Sequence, residues 1–149
     1  MCEQSGNWAL QLRRLTDGAS DVRIVETRSA DECLAALGRF PTSWVAVELA
    51  AGNCEAALDL LLALDAQFPH VRTVVLAARS MTGYRWLARE LGAVGFIASP
   101  WQVPTLVEMM SRNAAVVHEQ QVIAQDQALN IADEICERLP WQSSRVGRL

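Results

Sequence analysis

The residue best placed for chemistry in this 149-residue chain is Glu48, whose carboxylate directly follows the apolar run Trp44-Val45-Ala46-Val47. A carboxylate at a strand exit can hold a cation or take part in group transfer, and its simplest environment is solvent. The other candidates are sparser. His70 and His118 have no Cys, Asp or Glu at metal-ligand spacing, so both are expected at the surface and no zinc site is expected. Cys2, Cys33, Cys54 and Cys136 are widely separated and form no Cys-x-x-Cys pair, which reads as packing thiols rather than a metal or redox centre. Ser80, Ser99 and Ser111 stand outside any nucleophile elbow, and no glycine-rich phosphate loop follows a strand. No cofactor is expected.

The elements that must position these residues can be read along the chain. Val22 to Thr27 is a strand candidate, and Ser29-Ala30-Asp31-Glu32 is a capping box that opens a helix through Cys33 and Leu37. Past the break Pro41-Thr42-Ser43, the Trp44–Val47 run is a second strand. Gly52-Asn53 then leads into a helix from Cys54 to Gln67, with Leu58, Leu61, Leu62 and Leu64 as its buried stripe. Val71 to Ala77 is a third, β-branched run, and a helix starting at Thr82 or Gly83 must stop at a left-handed Gly92. Gly95 to Ala98 is a short apolar strand that Ser99-Pro100 ends before another helix. Strands separated by helices of this length require a parallel sheet, and continuous apolar strands require helices on both faces.

The run Leu91 to Trp101, with its Gly-Ala, its strand aromatic and its proline, resembles the last strand of a response-regulator receiver (CheY-like) domain. The resemblance extends from Val22 to Ala114. It implies a three-layer α/β fold, a flavodoxin-like open parallel sheet of four to five strands with helices on both faces, plus a C-terminal helical extension. It also implies that the phosphorylation residues are degenerate. Glu48 falls at the phosphoacceptor position, Ala77 at the switch hydroxyl, Ser99 at the lysine and Phe96 at the switch aromatic, in a chain with no lysine at all. Phosphoryl transfer without the cation and the hydroxyl loses most of its stabilisation, while an acidic Glu48 could mimic a phosphorylated charge and lock one state.

Only 21 residues precede Val22, too few for the strand, acidic pair and full helix that open a receiver. Trp8, Leu12 and Leu15 share one helical face, although Trp8, Leu10 and Leu12 also alternate as in a strand. The helix is preferred. It leaves the central strand of the receiver sheet missing, or filled by another segment or chain.

The usual partner surface of receivers would here carry Tyr84, Trp86, Arg89, Phe96, Trp101 and Leu106, with packing as the competing assignment, above all for Trp86 and Phe96. Met110, Ala114, Val117, Gln121, Ala124, Ala128, Ile131 and Ile135 recur at heptad spacing, so one helix could run from Pro104 to about Glu137. Met110, Val117, Ile131 and Ile135 are its candidate contacts, either folded back on the domain or docked on another chain. The organisation expected is a receiver-like domain over 1–118 and a C-terminal helix and tail over 119–149.

A formal charge of −4 with dispersed arginines leaves no footprint for nucleic acid. The longest apolar stretch is interrupted by Asp59 and Asp65, and no signal peptide is seen, so neither a membrane nor export is expected. The expected function is a cytoplasmic, non-catalytic pseudo-receiver, a phosphorylation-independent interaction or regulatory module of bacterial-type signalling that binds an unidentified protein partner or a second copy. The alternative is a small-ligand-binding or enzymatic α/β domain using the crevice where Glu48, Ala50, Ala77 and Ser99 would gather.

Overall fold

Three apolar runs form the strands β1 (Trp44–Leu49), β2 (Arg72–Ala77) and β3 (Ala93–Ile97), parallel and in the order β1-β2-β3. The structure, a computed structural model, describes residues 1–17 and 22–113. A compact unit spans Met1–Met110. Around the sheet stand α1 (Asn7–Thr16), α2 (Ala30–Arg39), α3 (Cys54–Gln67) and α4 (Arg85–Glu90), and residues 103–113 are helical.

Strand β2 shows why the layers stack as they do. Its side chains alternate faces, yet Val74, Val75, Leu76 and Ala77 are all buried, so each face must be covered. Val75 and Ala77 pack with Ala57, Leu60, Leu61 and Leu64 of α3 and with Ala88 of α4. Val74 and Leu76 pack with Ile97, Leu12 of α1, Val103 and Leu106. The result is a three-layer sandwich with two aliphatic cores.

Helix α2 begins on its capping residue, with the return bond one residue earlier than in a standard box: Ser29 Oγ accepts from the Glu32 N–H at 3.2 Å, and the Glu32 carboxylate accepts from the Arg28 N–H at 2.8 Å. After α4, Gly92 turns with φ of 82°. A Cβ there would lie 2.5 Å from Asp65 Oδ1, an exposed side chain that would have to move, so it is the left-handed backbone that demands glycine.

Several expectations are corrected. Val22 to Thr27 is not a regular strand, since only Thr27 bridges, to Cys2. The physical reason lies at the amino terminus. Cys2 also bridges Val47, so Met1 to Glu3 lie between the 22–27 segment and β1, and of the two alternatives for the central strand it is the filling of its slot by another segment that holds. A neighbour this short offers few ladder bonds, so among the described residues three regular strands form, flanked by the bridged stub at Cys2. Strand, acidic residue and helix do fit before Val22, because the strand is cut to a stub.

Helix α1 is present as preferred, but it buries Ala9, Leu12 and Thr16 while Leu15 is exposed. Leu62 of α3 is also exposed, and Leu60 takes its place in the core. Pro104 lies in the first turn of the last described helix, as expected, while its continuation to Glu137 and the boundary at 118 fall outside the described residues.

Candidate functional site

The carboxyl ends of Met1–Glu3 and β1 bring two acids together. Glu48 is not solvated; it is 8% exposed and Glu3 is 3% exposed. Burying a carboxylate is costly unless hydrogen bonds replace its water, and both acids have them. Glu48 Oε2 accepts from the backbone N–H of Gln4 at 2.7 Å and of Ser5 at 3.1 Å, and Oε1 accepts from the Ser5 hydroxyl at 2.6 Å. Glu3 accepts from the N–H groups of Trp8 at 2.7 Å and Ala9 at 2.8 Å.

These bonds explain how α1 starts. Gly6, at its N-cap position, has no side chain to offer, so Glu3 reaches forward to the exposed N–H groups of the first turn, where negative charge also suits the helix dipole. Ser5 Oγ lies within 3.0 Å of Glu3 and 2.6 Å of Glu48. One hydroxyl proton thus stands between two carboxylates and can satisfy only one fully at a time.

The rest of the strand end is rigid. The Asn53 side chain donates to Glu48 O at 3.0 Å and accepts from the Ala50 N–H at 2.7 Å, tying the β1 exit to the start of α3. Ala77 is buried, and Ser99 is half-buried ahead of the turn Pro100–Gln102. A cavity of about 450 Å³ opens beside Glu48, bordered by Trp8, Arg14, Ala50, Ala78 and Pro100. Ala77 and Ser99 do not line it. Among the described residues no group of three His, Cys, Asp or Glu could hold a metal ion.

The partner-face residues divide. Trp86 is 70% and Trp101 88% exposed, so neither is a core residue. Arg89 is exposed, and the Tyr84 phenol is pushed up by its hydrogen bond with Cys54. Phe96 is half-buried with the Arg85 guanidinium 5.4 Å from its ring centroid. Leu106, expected at this surface, is 2% exposed and belongs to the core, because its helical phase points it at β2. Met110 is half-buried; Val117, Ile131 and Ile135 lie outside the described residues.

Glu3 and Ser5 were missed in the sequence. The available signal was an acid a few residues ahead of a helix whose N-cap position is glycine.

No family model matches the chain, and no curated protein matches it. Solved structures do. A response regulator from Thermotoga maritima superposes with a TM-score of 0.63 at 20% identity, over 74% of this chain and 91% of that one. A signal receiver domain from Vibrio parahaemolyticus gives 0.64 at 14% identity, over 81% and 92%. A response regulator from Burkholderia pseudomallei, crystallised with a phosphorylated aspartic acid, gives 0.61 at 22% identity, over 82% and 71%. The fold is therefore receiver-like and flavodoxin-like.

Proposed function

We propose that this chain is a non-catalytic pseudo-receiver, a regulatory module that works by protein contact in the cytoplasm and independently of phosphorylation. The observation that supports it best is the state of Glu48. At the position of the acceptor, its carboxylate is buried and accepts two backbone amides and a hydroxyl of the Gln4–Ser5 segment. Receiver chemistry needs an oxygen free to attack phosphorus and a cation beside it. Here the oxygens hold the amino-terminal loop, Ala77 offers no hydroxyl and Ser99 no charge. The negative charge that phosphorylation would supply is built in and already bonded.

The output surface proposed is the face carrying Trp86, Arg89 and Trp101, whose exposed aromatics and arginine are the side-chain types that anchor interfaces. Its occupant is a protein partner or a second copy, with the C-terminal heptad residues Met110, Val117, Ile131 and Ile135 as a further contact. Neither nucleic acid nor membrane is part of this function. Among the described residues no helix is long and apolar enough to cross a membrane.

The cavity beside Glu48 favours a second reading, a small-ligand site. Its lining joins Trp8 and Leu10 to a single basic side chain, Arg14, and the one acid that borders it is committed to the loop. Titration with beryllium fluoride and magnesium, followed by amide NMR, tests the first reading. The pseudo-receiver predicts an unchanged spectrum, and saturable shifts at Gln4, Ser5 and Glu48 would overturn it.

A further inference from the structure

The chain enters its sheet in the middle. Met1 to Glu3 come first, the 22–27 segment lies on one side of them and β1 on the other, so the sheet grows outward in two directions from the stub. Helix α1 packs on one face of the sheet and α2 on the other. Connections that diverge in this way leave a crevice outside the carboxyl ends of the strands, where open α/β sheets take up their ligands. The cavity of about 450 Å³ beside Glu48 stands at that point.

Its walls are of two kinds. Ala50, Ala78 and Pro100 give an apolar side with little bulk, and Trp8, which packs against the core around Leu12 and Val74, adds an aromatic one. Helix α1 supplies polar groups. Gln11 is half-buried and Arg14 exposed, both border the cavity, and among the described residues neither side chain has a hydrogen-bond or ion-pair partner. The neighbouring Arg13 is by contrast already paired with Glu26.

On the small-ligand reading of this cavity, on which the inference rests, we propose that it binds a small organic monocarboxylate with a flat apolar body, its ring beside Trp8 and its carboxylate on Arg14.

Charge fixes both the class and the direction. Glu48 borders the cavity at the end where Asn7 meets Ser5, and its carboxylate, already holding the loop, repels an anion from that end. Arg14 is seven residues further along α1, about 10 Å of helix. An anionic group is therefore drawn to the Arg14 end, where the planar guanidinium suits a carboxylate in a paired, bidentate bond. A phosphate ester would bring a second charge to that one cation, which favours the carboxylate. The ring then lies over Ala50, Ala78 and Pro100, whose short side chains leave it room, with the Gln11 amide free to bond a ring substituent.

The test is titration of the full chain followed by amide and indole NMR. Indole-3-carboxylate and phenylacetate are the anionic probes, indole is the neutral ring and acetate the bare charge. Both ring carboxylates should give saturable shifts at Trp8, Gln11, Ala50 and Ala78, while acetate gives none. Arg14→Gln, at an exposed position of α1, should weaken their binding about fivefold, the worth of an exposed ion pair, and Arg14→Lys should restore part of the loss. Indole should bind more weakly than its carboxylate by a similar factor. Indole binding as tightly as its carboxylate, with Arg14→Gln without effect, overturns the anionic class and leaves the small-ligand site standing. Acetate matching the ring carboxylates overturns the role of the apolar wall. If no ring compound moves these residues at about 5 mM, a concentration that reveals millimolar affinity, the proposal and the small-ligand reading fall together.

Discussion

From β1 to β3 the sheet is a parallel ladder, with one register shift between Thr73 and Val74 and aliphatic side chains buried on both faces, whereas from β1 outward to Thr27 it consists of isolated bridges secured by Glu3 and Glu48. The first region is stabilised by apolar area removed from water, which scales with size and is indifferent to direction. The second depends on a few directed hydrogen bonds to charge, each of which is costly to leave unmade. Where the backbone is too short to build a ladder, side-chain carboxylates take over the work of aligning it.

The largest effect should come from the ladder side. Leu76→Ala removes a fully buried side chain between β1 and β3, and should lower unfolding free energy by about 3 kcal/mol through transfer and cavity terms. Urea denaturation measures it, and a loss below about 1 kcal/mol would mean that the second core can collapse around the gap. Glu48→Ala should cost about 2 kcal/mol, because it removes the buried charged acceptor that holds the Gln4 and Ser5 donors of the amino-terminal loop. Its signature is regional. Hydrogen exchange should accelerate across residues 1–16 while β2 stays protected, and a uniform loss over the whole sheet would erase the distinction between the two regions.

Gly92→Ala should cost about 1–3 kcal/mol from its left-handed backbone, with the Asp65 contact adding to it. Thermal denaturation should show a clear fall in midpoint without altered protection at residues 1–3. The smallest effect belongs to the output face. Trp86→Ala and Trp101→Ala should each change stability by less than about 0.5 kcal/mol, since both rings are largely in water. Sedimentation of the full chain and of both variants then reports whether these rings hold a second copy. A stability loss above 1 kcal/mol in either would return that tryptophan to the core.

The parts of the fold that repeat a local pattern were legible in the sequence. The capping box at Ser29, the left-handed Gly92, the Pro100 stop and the three apolar runs each depend on near neighbours, and each stands where its residues place it. What was not legible is long-range or one-sided. The role of Met1 to Glu3 depends on partners at 27 and 47, which no window of the sequence contains. The burial of Glu48 follows from that same insertion. Which leucines of α3 face the sheet was misjudged at Leu62, since a helix with leucines nearly all round gives periodicity little to select on.

Gly95 has a consequence for how this chain can vary. A Cβ built there would meet the two γ-methyls of Val74 at 3.3 and 3.4 Å, so β3 lies against β2 as closely as the present pair of residues permits. Positions 74 and 95 therefore share one small volume. Among descendants of this sequence, an alanine or larger residue at 95 should be accompanied by a smaller one at 74, and the two substitutions should be found together more often than either alone.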